Sequence, residues 1–185
     1  MPLVRFSMSL LFGLRGGSDA GFDSYGTLVL EHTPDPGQFL SETAVLTGTD
    51  HAAFHRLTMD LFDERGVYDM TFGYNLARLN LDHRHPDAGF RYGRETDDRS
   101  VLRAEFTPTT EFCPQSDTLT VGAFRAWNGL SDRHEYDLVR VRVSPGHHQS
   151  TSINDKLQQL ETRYRKAGEL RTADTGESSD ESVPF

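Results

Sequence analysis

Lysine and cysteine are nearly absent from this chain of 185 residues: there are two lysines, Lys156 and Lys166, against seventeen arginines, and one cysteine, Cys113. A single cysteine excludes an internal disulfide and points to a reducing, cytoplasmic interior. Positive charge is also short, with 19 basic side chains against 28 acidic and a formal net charge of -9. A protein whose main task is to grip a phosphate backbone or an anionic membrane needs concentrated positive charge, so nucleic acid and membrane are excluded as expected partners. No apolar run approaches the roughly 18 residues of a membrane span. The opening run that ends at Leu14 is short, carries no small-x-small cleavage pattern and gives way to Arg15-Gly16-Gly17, so it reads as intracellular, with Met1 or Met8 as the initiator. Gly-x-Gly-x-x-Gly, phosphate-cradling and Gly-x-Ser-x-Gly signatures are missing, as are internal repeats.

What the chain does have is enough apolar material, including twelve phenylalanines, to enclose one core. Abundant carboxylates with few lysines fit a salt-rich cytoplasm, where repulsion is screened; an ordinary acidic protein that prefers arginine is the alternative. The expected fold class is α/β (α+β), a small mixed sheet with helices packed on one face, as a single domain with a disordered acidic tail. The expected parts are an extension or loop over 1–25, a divergent N-terminal part over 26–99, a core over 100–170 and the tail over 171–185.

Along the chain, Thr27 to Glu31 and Thr43 to Thr47 read as short strands. Asp50 caps an expected helix whose inner stripe is Ala53, Phe54, Leu57, Leu61 and Phe62, with Gly66 as the left-handed stop. The alternation of Phe72, Tyr74 and Leu76 favours a strand over Met70 to Leu81, and Pro86, Gly89 and Gly93 make His83 to Asp98 a loop or hairpin connection. Val101 to Phe106 alternates as a half-buried strand. Pro114 opens a helix to about Trp127, capped by Ser116 or Asp117, with Leu119, Ala123, Ala126 and Trp127 inward. Tyr136 to Val143 is a further strand. A last helix carries Ile153, Leu157, Leu160, Tyr164 and Ala167 between a Ser152/Asp155 capping box and a stop at Gly168.

Cys113 is the sharpest candidate for chemistry. It falls between a strand and a helix N-terminus, where unpaired amides and the helix dipole stabilise a thiolate able to ligate a soft metal or attack an electrophile; a small buried hydrophobe is the competing role. His83 and His85 offer two imidazoles from a loop, but without a ligand set at familiar spacing they read as solvated polar residues. His147 and His148 follow a strand end, so if that strand lies beside the Val101 strand a histidine approaches Cys113 and a thiolate–imidazole pair becomes available.

Glu105 to Leu119 (EFTPTTEFCPQSDTL), Tyr136 to Ser150 (YDLVRVRVSPGHHQS) and Ile153 to Leu157 (INDKL) together resemble the SufT and PaaD-type family, most closely the branch containing the small subunit of the cytosolic iron–sulfur targeting complex. The matching positions are Thr107, Pro108, Thr109, Cys113, Thr118, Leu119, Pro145, Gly146, His148, Ser150 and Asn154, over roughly residues 100 to 167. The resemblance implies an iron–sulfur assembly or targeting adaptor. It casts Cys113 as the reactive thiolate, assisted by His148, the two also being the metal ligands, and Cys113, Thr107, Thr109, Ser150 and Asn154 as the cofactor-binding set. The implied cargo is an iron–sulfur cluster or iron held transiently, and the implied partners are iron–sulfur client and scaffold proteins, with a homodimer open. Two departures stand out: Thr151-Ser152 replaces the family's acidic residue after the Pro-Gly-x-His-x-Ser motif, and the family's opening turn is not recognisable in residues 1 to 99. A cysteine-dependent hydrolase or transferase using Cys113 with His147 or His148, and a cofactor-free interaction domain, are the alternatives.

Overall fold

The protein is described by a computed structural model covering residues 21–23 and 32–176, with side chains through Gly168. Strands β1 (Thr43–Val45), β4 (Gly89–Glu95), β5 (Val101–Thr107) and β6 (Leu138–Val143) form one mixed sheet in the order β1-β4-β5-β6. β1 and β4 pair antiparallel, as do β4 and β5, and β6 runs parallel to β5. Strands β2 (Tyr68–Asp69) and β3 (Tyr74–Asn75) make a separate hairpin. Helices α1 (Gly48–Arg65), α2 (Ser116–Gly129) and α3 (Ser150–Gly176) complete the α/β domain that pattern and composition predict.

The alternation of β5 works as read. Leu102, Ala104 and Phe106 are buried and stand in register with Val139, Val141 and Val143 of β6 and with Arg94, Tyr92 and Phe90 of β4. Trp127 from α2 and Phe62 from α1 close on Phe90, with ring centroids at 5.3 and 5.8 Å. The opposite face is not simply wet. Glu105 is buried there and accepts from the Gly37 and Phe39 amides at 2.7 and 3.3 Å, while Glu161 of α3 pairs with Arg140 and Arg142 at 3.0 Å each. The segment before β1 therefore covers this face, with Phe39 lying beneath the guanidinium groups of Arg103, Arg140 and Arg142.

Helix α3 runs back along β6, and the outer edge of that strand is closed by side chains rather than by another strand. Asn128 of α2 accepts from the Val139 amide and donates to its carbonyl, both at 2.9 Å; Asn154 of α3 does the same at Val143, at 2.8 and 3.0 Å. Pairing of these edge groups by side chains removes much of the template that another strand would need.

Several expectations are corrected. The segment 83–98, expected as a loop or hairpin connection, contains the seven-residue strand β4, which pairs antiparallel with β5 inside the sheet. Its glycines and charges hid it: Gly89 has φ 118 and packs against the Asn80 side chain, while Arg91 is buried and donates to the Thr33 hydroxyl and the Pro34 carbonyl. Met70 to Leu81 is not a strand. Beyond the short β3 it is a 3-10 helix over Leu76–Leu81, in which Leu76 and Leu79 recur at three residues per turn and Asn75 caps the Ala77 amide at 2.9 Å. In α1 the stop at Gly66 (φ 67) holds, but the N-cap is Thr47 rather than Asp50. Ala53 is exposed, and His51, His55 and Thr58 join Phe54, Leu61 and Phe62 inside, because Tyr92, the Ala77 carbonyl and Trp127 provide partners for His55 and Thr58.

Helix α2 starts at Ser116 without a side-chain cap: Ser116 is buried and Asp117 reaches across to Lys156 at 2.8 Å. Its inner face, Leu119, Ala123, Ala126 and Trp127, is buried as expected. Helix α3 begins at Ser150, ahead of the expected capping box, and passes through Gly168 to Gly176. Ile153 and Leu157 are buried, whereas Ala167 is exposed because Tyr164, bonded to the Asp137 carbonyl at 3.4 Å, already stands at the beginning of β6. The expected strand over Thr27 to Glu31 lies outside the described residues, as do the N-terminal extension up to Ala20 and the last nine positions of the expected tail.

Candidate functional site

Because β5 and β6 are adjacent and parallel, the segments leaving their carboxyl ends emerge side by side, the position at which open α/β sheets bind ligands. After β5 the chain passes through Pro108 and Thr109 to Cys113 and Pro114; after β6 it passes through Pro145 and Gly146 to His147 and His148. The Ser144 amide continues the pairing by donating to Phe106 O at 2.8 Å. Thr107, Pro108, Thr109, Thr110, Glu111, Ser144, Gly146 and His147 line a cavity of about 200 Å³ between the two segments.

The two histidines stitch the loops together through the main chain. His147 is buried; its Nδ1 accepts from the Gln149 amide at 3.2 Å, which makes Nε2 the donor to the Cys113 carbonyl at 3.0 Å. His148 donates from Nδ1 to the Glu111 carbonyl at 2.8 Å, and its own amide reaches the same oxygen at 3.0 Å. The expectation that a histidine approaches Cys113 is met, but the contact of His147 is with the carbonyl and not with the sulfur. With both ring nitrogens engaged, His147 has none left to act as a base at the thiol. His148 keeps its Nε2 lone pair on an exposed ring, the orientation in which a histidine whose other N–H is held by a carbonyl ligates a metal.

Cys113 is a free, half-exposed thiol at the loop's end, two residues before the α2 N-cap, Gln115. Phe112 beside it is 69% exposed and packs on His148 with ring centroids 5.1 Å apart. On the other side, Gln115 accepts from the Met70 amide at 3.1 Å and donates to Thr71 at 2.7 Å, bringing the β2–β3 turn against the start of α2. Met70 is 81% exposed. Phe112, next to Cys113 in the chain, and Met70, whose amide is tied to Gln115, are the two most exposed large hydrophobic side chains among the described residues. Sequence reading missed both, since an exposed hydrophobe differs from a buried one only in its surroundings.

The remaining motif positions differ in character. Thr107 and Thr109 line the cavity, and Ser150 donates to the Pro145 carbonyl at 3.4 Å, closing the turn into α3. Asn154 has its amide fully engaged with Val143, so it holds the end of β6 in place. Leu119 is in the core and Thr118 is exposed.

Away from this site, one group of three donors within reach of a single ion occurs among the described residues: Asp23, His32 and His83. Asp23 accepts from His83 Nε2 at 2.6 Å and from His32 Nδ1 at 3.2 Å. Burial alone would raise the Asp23 carboxyl above its ordinary range, but the hydrogen bonds from the two histidines more than offset it and hold the group ionised at neutral pH. His83 was singled out in the sequence; Asp23 and His32 were not, since nothing local joins positions 60 and 51 residues away.

With this geometry in view, the chain can be placed by comparison. It belongs to a family described as a domain of unknown function, DUF7998, whose model matches residues 20–171. No curated protein and no solved structure matches it. The DUF7998 match takes in both the Cys113 loop and the Asp23 cluster, so both lie inside the family domain rather than in appended chain.

Proposed function

We propose that this chain is an iron–sulfur cluster assembly or targeting factor, an adaptor without turnover of its own, working in a reducing cytoplasm. The observation that carries it is the setting of Cys113: a lone free thiol, half exposed, on a loop that also presents the exposed Phe112 and is hydrogen-bonded to the exposed His148 ring. Further support comes from the placement of the motifs that resemble the SufT and PaaD-type family, which fall on two neighbouring strand–loop–helix units whose loops meet. The cluster or iron is cargo. One cysteine cannot complete a cluster's thiolate set, so the other ligands come from the scaffold, the client or a second copy of this chain. Cys113 then offers one exchangeable sulfur ligand and His148 a nitrogen, while Phe112 and Met70 supply apolar surface for a protein partner. Thr107 and Thr109 line the adjoining cavity and offer hydroxyls for outer contacts to the cargo. Among the described residues no helix is long and apolar enough to cross a membrane.

The test replaces Cys113 by Ser in the native cell and measures the activity of iron–sulfur enzymes beside a metal-independent control. Iron–sulfur activities are expected to fall several-fold with the control unchanged. Full iron–sulfur activity in the Cys113→Ser strain would sink the proposal and leave an interaction domain with an inert cysteine.

A further inference from the structure

Residues 21–23 lie antiparallel to residues 81–83, fixed by the Asp23 amide donating to Leu81 O and the His83 amide donating to Gly21 O, each at 2.8 Å, about a bridge between Phe22 and Asp82. Phe22 anchors this strip: its ring meets Tyr74 edge-on at 5.5 Å and lies under Arg78 at 4.3 Å. The strip sets the Asp23 carboxylate beside the His83 ring. His32 arrives from the other direction, held where its carbonyl accepts from the Asp87 amide at 3.3 Å, and its ring stands 4.8 Å from that of His83. The neighbouring acid, Asp82, is not part of the group, because Tyr74 and a bidentate Arg84 occupy its oxygens.

We propose that Asp23, His32 and His83 form a binding site for one divalent transition-metal ion of the zinc type, with a further coordination position open to solvent. The donor set is two imidazoles and a carboxylate, which suits borderline ions better than calcium or magnesium. His83 Nε2, His32 Nδ1 and a carboxylate oxygen all lie within 4.8 Å of one another, close enough to converge on one ion about 2.0–2.2 Å from each after small side-chain rotations. The two ring nitrogens that now face Asp23 are the atoms that would bind, each ring then carrying its proton on the other nitrogen and ligating as a neutral imidazole. One carboxylate and two neutral imidazoles leave a single negative charge to meet the cation. The Asp23 side chain is only 10% exposed while both rings reach solvent, which gives the ion an inner acidic wall and an outer face for water or a small anion. The site is independent of the Cys113 reading and stands or falls separately.

Titration of the metal-stripped full-length chain with Co2+ tests it. One equivalent should bind with visible d–d bands free of a thiolate charge-transfer band, and Zn2+ should bleach them. His83→Gln and Asp23→Asn, with circular dichroism confirming the fold, should each weaken binding by at least about tenfold, while Cys113→Ser leaves it unchanged. Absence of stoichiometric binding in the native chain, unchanged affinity in both ligand variants, or bands that vanish in Cys113→Ser would each overturn the proposal.

Discussion

At the scale of single residues, this fold relies on polar side chains placed where apolar patterning leaves a gap. Asn154 answers both main-chain groups of Val143 at the outer edge of β6. Asn154→Ala leaves an amide and a carbonyl without partners at a half-buried edge, and the expected loss is about 1–3 kcal/mol in urea unfolding; a change within error would mean that water replaces the side chain there. Cys113 contrasts with it: the hydrogen bonds that fix its loop run through its main-chain atoms, and its half-exposed thiol is free. Cys113 could be picked out from sequence because it is unique and precedes a helix. The role of Asn154 could not, since edge closure depends on which strand ends outermost.

Among the elements, α1 shows how a helix can mislead a reader of periodicity. Its stop at Gly66 is a local property, written in the one residue type that adopts φ 67 without strain. Its buried face is not local, because it takes in His51 and His55. Burial holds both imidazoles neutral, lowering the His51 value to about 3, with the nearby Arg91 charge adding to it, and that of His55 to about 4 despite its bond to Ala77 O. An unfolded chain protonates both near pH 6.5, so between that pH and the folded values the unfolded state binds more protons. Stability from these groups is therefore complete above pH 6.5 and falls as pH drops, by roughly 2 kcal/mol per histidine at pH 5. Urea midpoints at pH 7.5 and pH 5 measure this. His51→Phe, which removes a ring whose nitrogens have no partner among the described residues, should flatten the slope by about one proton; an unchanged slope would place the titration elsewhere.

For the whole molecule, the net charge of -9 sets a long-range repulsion that salt screens, whereas the partly buried cluster of Glu95, Arg103, Arg140 and Glu161 is screened less. Tm should accordingly rise from low to molar salt, as a thermal scan would show, and a Tm that falls would indicate that ion pairs outweigh repulsion. The sequence by itself determined the class of fold, the two strands with clean alternation, β5 and β6, the inner face of α2, and the presence of one thiol beside a helix start, because each follows from neighbours within a few residues. Only the tertiary structure decided that the glycine-broken segment 89–95 lies inside the sheet, since Thr33, which binds Arg91, is distant in sequence and Glu105, opposite Arg91, is on another strand. It alone joined His147 and His148 to the Cys113 loop, through a parallel pairing that needs a helix between its strands. It alone gathered Asp23, His32 and His83, whose proximity is a matter of chain crossing and not of spacing.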